Sequence, residues 1–464
     1  MVEPSDAFQP FEAKMRAEGL PPVAIETFRH YYEALRAGST GLLSRDAIGP
    51  VDDVPQAGAL AAHRESGVLA LGRCAVIKLN GGLGTSMGMT RAKSLLPVKD
   101  GLTFLDLIAE QILYLRHQHG CRLPLVLMNS FRTRDDSLAL LARHSELASD
   151  VPPDFLQHKV PKILAKELAP AEWPANPENE WCPPGHGDIY TALVTSGMLE
   201  ALLNADYRFA FVSNADNLGA VPDVDVLGYV ADEDVPFLME VCPRTEAHRK
   251  GGHLARRNDG ALVLRELAQC PEDELDEFQD VSRFRFFNTN NLWLDLAALD
   301  AALRKRDGVL GLPMIRNEKT LDPSDGSSPR VFQLETAMGA AVEVFEGARA
   351  VCVPESRFAP VKTTNDLLAL WSDAFRVAED ARVVSARAPE LGTLVVDLDT
   401  AFYKRIDQLQ ERFPAGAPSL ARCRRLRVHG DVHFGANVVA EGDVEVRADD
   451  GPRKIPDGEV LRST

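Results

Sequence analysis

A glycine-rich stretch followed by a lysine contains the residue types best suited to handling a phosphate. Residues 74–80 form an apolar, β-branched run that ends in a glycine cluster, namely Gly81, Gly82, Gly84 and Gly88. Glycines adopt positive φ and let backbone amides approach an anion, and Lys93 adds a positive charge to neutralise it. The pattern predicts a strand, a phosphate-binding loop and a helix, although a plain tight turn would also satisfy it.

Two better-known phosphate motifs do not fit this stretch. A P-loop requires Gly-x-x-x-x-Gly-Lys-Ser/Thr, whereas the Lys93-Ser94 pair lies well past the glycines. The dinucleotide fingerprint Gly-x-Gly-x-x-Gly begins at Gly82 and Gly84 but meets Met87 where the third glycine belongs. The stretch is therefore neither a Walker loop nor a dinucleotide fingerprint.

A second polar cluster directly follows an apolar run. Residues 209–212 read as a buried strand, and the segment Ser213-Asn214-Ala215-Asp216-Asn217 comes next. Ligands of parallel α/β sheets gather at the carboxyl ends of the strands, so we expect this cluster and the glycine loop to face one crevice. Asp216 could instead cap a helix, but its place beside Asn214 favours a ligand role.

Lys362 stands beside the predicted N-terminus of a helix. Thr363 precedes the helical residues 367–371, and the first turn of a helix carries partial positive charge. A lysine next to such a turn makes a plausible anion site, whereas the alternative is a solvated surface lysine.

An amide-rich segment follows the aromatic run at residues 284–287. It reads Asn288-Thr289-Asn290-Asn291. Amides both donate and accept hydrogen bonds, which suits recognition of hydroxyl groups. The alternative is a turn with an asparagine cap.

The composition limits the possible partners. The chain has 464 residues, 45% of them hydrophobic, and 51 Lys plus Arg against 68 Asp plus Glu give a net charge of −17. This excess of negative charge opposes binding of nucleic acid over the general surface, so a phosphate site must be a local island of positive charge. The length predicts two or three domains.

The location is predicted from what the sequence lacks. The first residues, Met1 to Asp6, show no basic stretch leading into an apolar one, and no apolar run is long enough to span a bilayer. The seven cysteines are scattered and never spaced Cys-x-x-Cys, which favours reduced thiols over disulfides or zinc ligands. We expect a cytoplasmic protein without a membrane partner.

The elements that must position these residues alternate between strands and helices. The pattern predicts helices at residues 24–35, 189–203 and 333–345, a helix capped by Thr103, a strand at 123–128, and a hairpin turning at Asn258-Asp259-Gly260. This order indicates an α/β fold. We expect an N-terminal helical segment over residues 1–55, a catalytic domain over 56–378 and a C-terminal domain over 379–464.

The C-terminal domain has a different periodicity. Leu426, Val432, Val438 and Val444 are spaced six residues apart, with glycines nearby. A hexad of apolar residues is typical of a left-handed parallel β-helix. About three coils would need a neighbour to remain folded, which makes this end a plausible contact between copies of the chain.

Several motifs resemble one family, and they occur in its order from about residue 70 to the C-terminus. The glycine stretch reads Leu-Asn-Gly-Gly-Leu-Gly-Thr-Ser-Met-Gly from Leu79, and Pro183-Pro184-Gly185-His186-Gly187-Asp188 follows later. Further matches are Ser213 to Gly219, Lys250-Gly251-Gly252, Phe287 to Trp293, and Pro360 to Thr364. Together they resemble the eukaryotic-type UDP-glucose pyrophosphorylases, or UTP–glucose-1-phosphate uridylyltransferases.

The resemblance implies a Rossmann-like nucleotidyltransferase core with a mixed sheet, and it implies a reaction. UTP and glucose 1-phosphate would give UDP-glucose and pyrophosphate by in-line attack on the α-phosphorus, with Mg²⁺ bound by Asp216. The implied phosphate-neutralising catalytic residues are Lys93 and Lys362. The implied nucleotide site consists of Leu79, Asn80, Gly81, Gly82, Met128, Gln157, Gly185 and Asp216. The implied sugar-phosphate site consists of His186, Asn214, Lys250 and Asn290.

Two other functions stay open at the level of sequence. A UDP-sugar pyrophosphorylase would keep the chemistry and use another sugar 1-phosphate or a broader range. A non-catalytic nucleotide-sugar-binding protein would keep the fold, but the two lysines, the aspartate and the glycine loop argue against it.

Overall fold

The computed structural model describes residues 7–462, and within them the largest sheet has ten strands. The strand Cys74–Asn80 pairs in parallel with Phe209–Asn214 on one side and with Leu125–Asn129 on the other. Asp154–Leu156 extends this parallel half, while Phe286–Asp295 lies antiparallel to Phe209–Asn214. The sheet is therefore mixed, which confirms the predicted α/β class.

The antiparallel half extends from the strand Phe286–Asp295. It contains the strand Phe237–Pro243 and the hairpin predicted at Asn258-Asp259-Gly260, whose strands are His253–Arg257 and Leu262–Arg265. Arg349–Cys352 pairs in parallel with Phe237–Pro243, and Ile48–Pro50 pairs with the first strand of the hairpin. Shorter pairs outside this sheet are Pro97–Lys99 with Leu102–Thr103, Val160–Pro161 with Trp181–Cys182, Ile163–Leu164 with Arg330–Thr336, and Phe375–Val377 with Val383–Ser385.

Helices cover both faces of the sheet, and the longest begins at the predicted cap. Thr103 Oγ1 accepts a hydrogen bond from the Asp106 amide at 3.0 Å, and the Asp106 carboxylate accepts one from the Thr103 amide. This reciprocal box satisfies amides that the first turn would otherwise leave unpaired. The α-helices are Gln9–Ala17, Pro22–Arg36, Arg64–Leu71, Phe104–His119, Arg134–Leu141, Ile189–Thr195, Met198–Asn204, Val224–Asp232, Leu275–Phe278, Leu296–Lys305, Thr364–Trp371, Thr400–Tyr403 and Ile406–Arg412.

Two local predictions were wrong. Residues 333–345 form no α-helix: the strand Arg330–Thr336 pairs with Met314–Thr320, and a 3₁₀ helix follows, because strand pairing overrides local helical preference. The helix predicted over residues 189–203 is interrupted at Gly197, where φ is +75°. For the amide-rich segment 288–291 the alternative interpretation, a turn, is excluded, because the segment lies inside the strand Phe286–Asp295, opposite a register shift at Glu240.

The C-terminal strands form parallel sheets. Val395–Leu398, Ser419–His429, Val439–Arg447 and Val460–Arg462 make one sheet, and Val432–Phe434 pairs with Arg453–Ile455. All four hexad residues are buried. The winding of these strands into a left-handed β-helix and the division into three domains stay predictions.

Between residues 7 and 462, no helix is long and apolar enough to cross a bilayer. All seven cysteines are free, and six are buried. Residues Met1 to Asp6, on which the prediction of the location partly rests, lie outside the described residues.

Candidate functional site

A cleft of about 330 Å³ opens at the carboxyl ends of the strands Cys74–Asn80 and Phe209–Asn214. The two predicted polar clusters meet there because both strands run parallel and end at the same edge of the sheet. The predicted residues that line it are Leu79, Asn80, Gly81, Gly82, Lys93, Gln157, Gly185, His186, Asn214 and Asp216. Ser94, Pro183 and Ala215 complete the lining.

The glycine loop is shaped by close approach and by positive φ. A Cβ on Gly81 would lie 2.5 Å from Gln157 Oε1, so only glycine lets that amide lie over the loop. Gly84 has φ +65°, which side chains rarely tolerate. The amide of Lys93 donates to the carbonyl of Gly82 at 3.0 Å, which folds the loop back over the cleft. Lys93 and the Gln157 amide therefore both face the cleft.

The side chain of Asn80 is held in place by two hydrogen bonds. Its side-chain Nδ2 donates to Asn129 Oδ1 at 2.7 Å and to Ser137 Oγ at 2.8 Å. The side chain is buried and its donors are used, so it fixes the start of the loop.

The central charged contact of the cleft joins Lys93 to Asp216. Their Nζ and Oδ2 atoms are 2.5 Å apart, and the side chains are 16% and 23% exposed. Lys93 comes from the glycine loop and Asp216 follows the neighbouring strand. One cationic and one anionic group are thus available together, the first for a phosphate and the second for a cation.

His186 enters the cleft as a neutral hydrogen-bond donor. Its Nδ1 accepts a hydrogen bond from the Met338 amide at 3.0 Å, and burial lowers its pKa to about 4. With Nδ1 used as the acceptor, Nε2 carries the proton. Gly185 before it has φ +81°, and its Cβ would lie 2.4 Å from the Thr336 carbonyl oxygen.

Asp188 connects two segments beside the cleft, and no role was predicted for it. Its carboxylate accepts from the His158 amide at 2.7 Å and lies 2.8 Å from His158 Nδ1. His158 follows Gln157, and Asp188 follows His186 by two residues. The available signal was the aspartate at the end of the Pro-Pro-Gly-His-Gly-Asp motif.

Lys362 lies outside this cleft. Thr363 is the N-cap of the helix Thr364–Trp371, as predicted, and the Asp366 carboxylate accepts from the amides of Lys362 and Thr363 at 2.8 Å. The Nζ of Lys362 lies 5.4 Å from the ring centroid of Phe358. The backbone directly before Lys362 nevertheless lies beside the cleft, since the Val361 amide donates to the Asp216 carbonyl at 3.3 Å.

Three further predicted residues also do not line the cleft. Met128 is buried in the apolar core, and Lys250 is exposed. Asn290 has φ +58°, and its Oδ1 accepts from Asn288 Nδ2 at 2.9 Å.

Glu266 is a titratable residue that sequence reasoning missed. A Cβ on Gly252 would lie 2.5 Å from its Oε1, so the carboxylate packs directly on the backbone next to Lys250 and Gly251. Burial raises the pKa of Glu266 to about 7, while the charge of Lys362 acts in the opposite direction. No sequence motif marks it, because its place depends on how the hairpin packs.

Comparison with known proteins gives the same family throughout. The family model described as UTP–glucose-1-phosphate uridylyltransferase matches residues 25–441. The UTP–glucose-1-phosphate uridylyltransferase of Solanum tuberosum is 40% identical over 394 residues, which cover 84% of this chain and 80% of that protein. That of Saccharomyces cerevisiae is 38% identical over 396 residues, which cover 85% and 78%.

Solved structures agree over nearly the full length. A mutant UDP-glucose pyrophosphorylase from Leishmania major in complex with UDP-glucose superposes with a TM-score of 0.92, at 46% identity and 99% coverage of both chains. A protein from Trypanosoma brucei, described as a UDP-glucose phosphorylase, gives 0.88 at 42% identity, covering 99% of this chain and all of that one. Since sequence motifs, fold and cleft all agree with these relatives, the chain belongs to the UTP–glucose-1-phosphate uridylyltransferase family.

Proposed function

We propose that this chain makes UDP-glucose and pyrophosphate from UTP and glucose 1-phosphate. The observation that supports it most is the meeting of Lys93 and Asp216 in one cleft with Gln157 and His186, in a chain of this family. The relatives are named for this reaction, and the L. major structure contains its product.

The uridine end is assigned to the glycine loop side of the cleft. Gln157 presents an amide over Gly81, and an amide matches the donor and acceptor edge of uracil. Residues 79–82 and Gly185 supply the surrounding backbone, with Met128 in the core beneath the base.

The phosphoryl transfer is assigned to two lysines. An oxygen of the sugar phosphate attacks the α-phosphorus of UTP, the bond from that phosphorus to the β-bridging oxygen breaks, and pyrophosphate leaves with the bonding electrons. The attacking oxygen is already ionised, so no general base is needed. Lys93 would neutralise the phosphates at once, whereas Lys362 must move toward the cleft. The L. major enzyme is described in open and closed structures, and we propose a comparable closure here.

The residues of the cleft fit Mg²⁺ held jointly with the substrate. Within residues 7–462, no three His, Cys, Asp or Glu side chains cluster as an all-protein metal cage. Mg²⁺ commonly takes one or two carboxylates and completes its shell with phosphate oxygens and water, and Asp216 offers that carboxylate at the cleft. Bound there, the ion would neutralise charge that develops on the phosphates. Lys93 then has a phosphate oxygen to bind in place of Asp216.

The glucose end is assigned to the side of His186 and Asn214, with Lys250 and Asn290 joining when the cleft closes. His186 Nε2–H and the Asn214 amide can bind phosphate or hydroxyl oxygens without adding charge. Glu266 adds an acceptor on the same side as Lys362.

The direct test measures pyrophosphate release from UTP and Mg²⁺ with glucose 1-phosphate. We expect turnover that requires both substrates, and a chain that binds UDP-glucose without turnover would contradict the proposal. The same assay with galactose 1-phosphate and N-acetylhexosamine 1-phosphates at equal concentration separates glucose specificity from a broader UDP-sugar pyrophosphorylase.

We also propose that the C-terminal strands wind as a short left-handed β-helix within domains bounded at residues 55 and 378. Leu426 pairs in parallel with Val444, which lies three hexads further along the chain, and this register supports the winding. The end of the coil is a plausible contact between two copies, testable by light scattering.

The free cysteines support a cytoplasmic location.

A further inference from the structure

We propose that Glu240, Arg357 and Asn217 form a buried positioning unit that fixes Asp216 relative to the backbone of Lys362. None of the three lines the cleft, and no role was predicted for any of them. The inference rests on the proposed function, in which Asp216 and Lys362 act on the same transferred group.

The base of the unit is a fully satisfied carboxylate. Glu240 is 0% exposed at the middle of the strand Phe237–Pro243. Its Oε1 accepts from Trp293 Nε1 at 2.9 Å and from Arg357 Nη2 at 2.6 Å, and its Oε2 accepts from Asn291 Nδ2 at 3.0 Å and from Arg357 Nε at 2.9 Å. Four donors leave the carboxylate a single arrangement, and the two-bond contact holds the guanidinium in one plane.

Arg357 passes this order to the backbone. Its Nη1 donates to the Val221 carbonyl at 2.8 Å, so the side chain also bridges to the loop that follows Asp216. Its own carbonyl accepts from Asn217 Nδ2 at 3.0 Å and from Asn291 Nδ2 at 3.3 Å. Removing one partner of a buried ion pair leaves the other charge uncompensated, so Glu240 and Arg357 depend on each other.

The side chain of Asn217 hydrogen-bonds the backbone of the segment that leads to Lys362, as a neighbouring strand would. Besides donating to the Arg357 carbonyl, it accepts from the Ala359 amide at 3.0 Å through Oδ1. Asn217 and Pro360 form an antiparallel bridge, and the Val361 amide donates to the Asp216 carbonyl. This hydrogen bond holds the carbonyl of Asp216 itself and the amide of Val361, the residue directly before Lys362.

The packing leaves no room for slippage. A Cβ on Gly219 would lie 2.3 Å from the Ser356 carbonyl oxygen, so the segment 356–361 lies directly on the loop 216–219. Phosphoryl transfer depends strongly on the placement of charged groups, and a displacement of about 1 Å can cost about a hundredfold in rate. The unit therefore sets the geometry from which Lys362 closes.

The first test is Glu240→Gln, which keeps the shape of the side chain. It replaces one carboxylate oxygen, which accepts two hydrogen bonds, by an NH₂ group that can only donate. We expect kcat to fall by about a hundredfold while KM for UTP stays within about threefold, because the uridine contacts lie elsewhere. Asp295→Asn is the matched control: it removes the charge from a partly exposed pair with Arg208, at the opposite end of the strand Phe286–Asp295 from the amide-rich segment. Equal loss of kcat in the control, or a kcat in Glu240→Gln that stays near wild type, would overturn the inference.

The second variant, Asn217→Ala, leaves the Glu240–Arg357 pair in place and decides the question even if Glu240→Gln does not fold. Hydrogen exchange of peptides spanning residues 358–364, measured without substrate, should be at least about tenfold faster than in wild type and unchanged in Asp295→Asn. Unchanged exchange in Asn217→Ala overturns the inference. Because this measurement needs no turnover, it separates failure of the positioning unit from failure of the proposed function, which an inactive wild type would show.

Discussion

The contact between Lys93 and Asp216 determines how the cleft responds to a ligand. The two groups satisfy each other at 2.5 Å while both stay partly exposed. A nucleotide phosphate and its cation offer each of them a partner of the right sign, so binding exchanges one ion pair for two. A partly exposed pair contributes little to folding, so its residues can be changed without large loss of stability.

Replacing Asp216 by Asn should lower turnover by about a hundredfold or more, because the neutral amide is a far weaker ligand for Mg²⁺. We expect the melting temperature to change little. Steady-state assays and thermal unfolding check both parts, with Asp136→Asn as the control, since Asp136 pairs with the exposed Arg91 outside the cleft. Wild-type rates in Asp216→Asn would remove this residue from the metal role.

His186 should make folding sensitive to acid. Burial lowers its pKa to about 4 in the folded chain, against about 6.5 when unfolded, so between these values the unfolded chain binds more protons. Stability contributed by neutral His186 is therefore present above pH 6.5 and lost as the pH falls toward 4. Urea unfolding at pH 7 and pH 5 should lose about 2 kcal/mol more in wild type than in His186→Gln. Equal losses in the two proteins would show that the imidazole is not buried as described.

At the level of elements, the glycine loop and the Gln157 segment form one surface. The loop holds Gln157 only because Gly81 has no side chain, and Asp188 fixes the following His158. Two segments far apart in sequence therefore supply one predicted uracil site.

Gly81→Ala should displace the Gln157 amide and raise KM for UTP by about tenfold, the scale of one hydrogen bond, with a smaller effect on kcat. Gly58→Ala is the control, because a Cβ there meets nothing within 4 Å and φ is ordinary. Unchanged KM in Gly81→Ala would place the uracil contact elsewhere.

On the scale of the whole molecule, the C-terminal sheets share a core with the catalytic sheet. Leu398, Leu409 and Leu426 belong to the same buried cluster as Phe104 and Val353. The Thr364 hydroxyl also donates to the Tyr403 carbonyl at 2.6 Å, next to the segment of Lys362.

A chain ending at residue 378 should therefore fail to unfold cooperatively. Deleting residues 379–464 would uncover apolar surface whose burial is worth about 25 cal/mol per Å², against a total stability of about 5–15 kcal/mol. Calorimetry and limited proteolysis compare it with the full chain, for which we expect one transition. A shortened chain with a sharp transition and wild-type turnover would show the parts to be independent.

The sequence by itself determined the strands with apolar runs, the helices with caps, the glycine loop and the family, because these depend on residues close together in the chain. Tertiary structure alone decided the rest. Residues 333–336 are a strand because Met314–Thr320 pairs with them, and the amides at 288–291 remain in a strand because Glu240 and its neighbours bind them. The raised pKa of Glu266, the position of Lys362 outside the cleft lining and the Glu240–Arg357–Asn217 unit all arise from contacts between residues far apart in sequence, which no local pattern encodes.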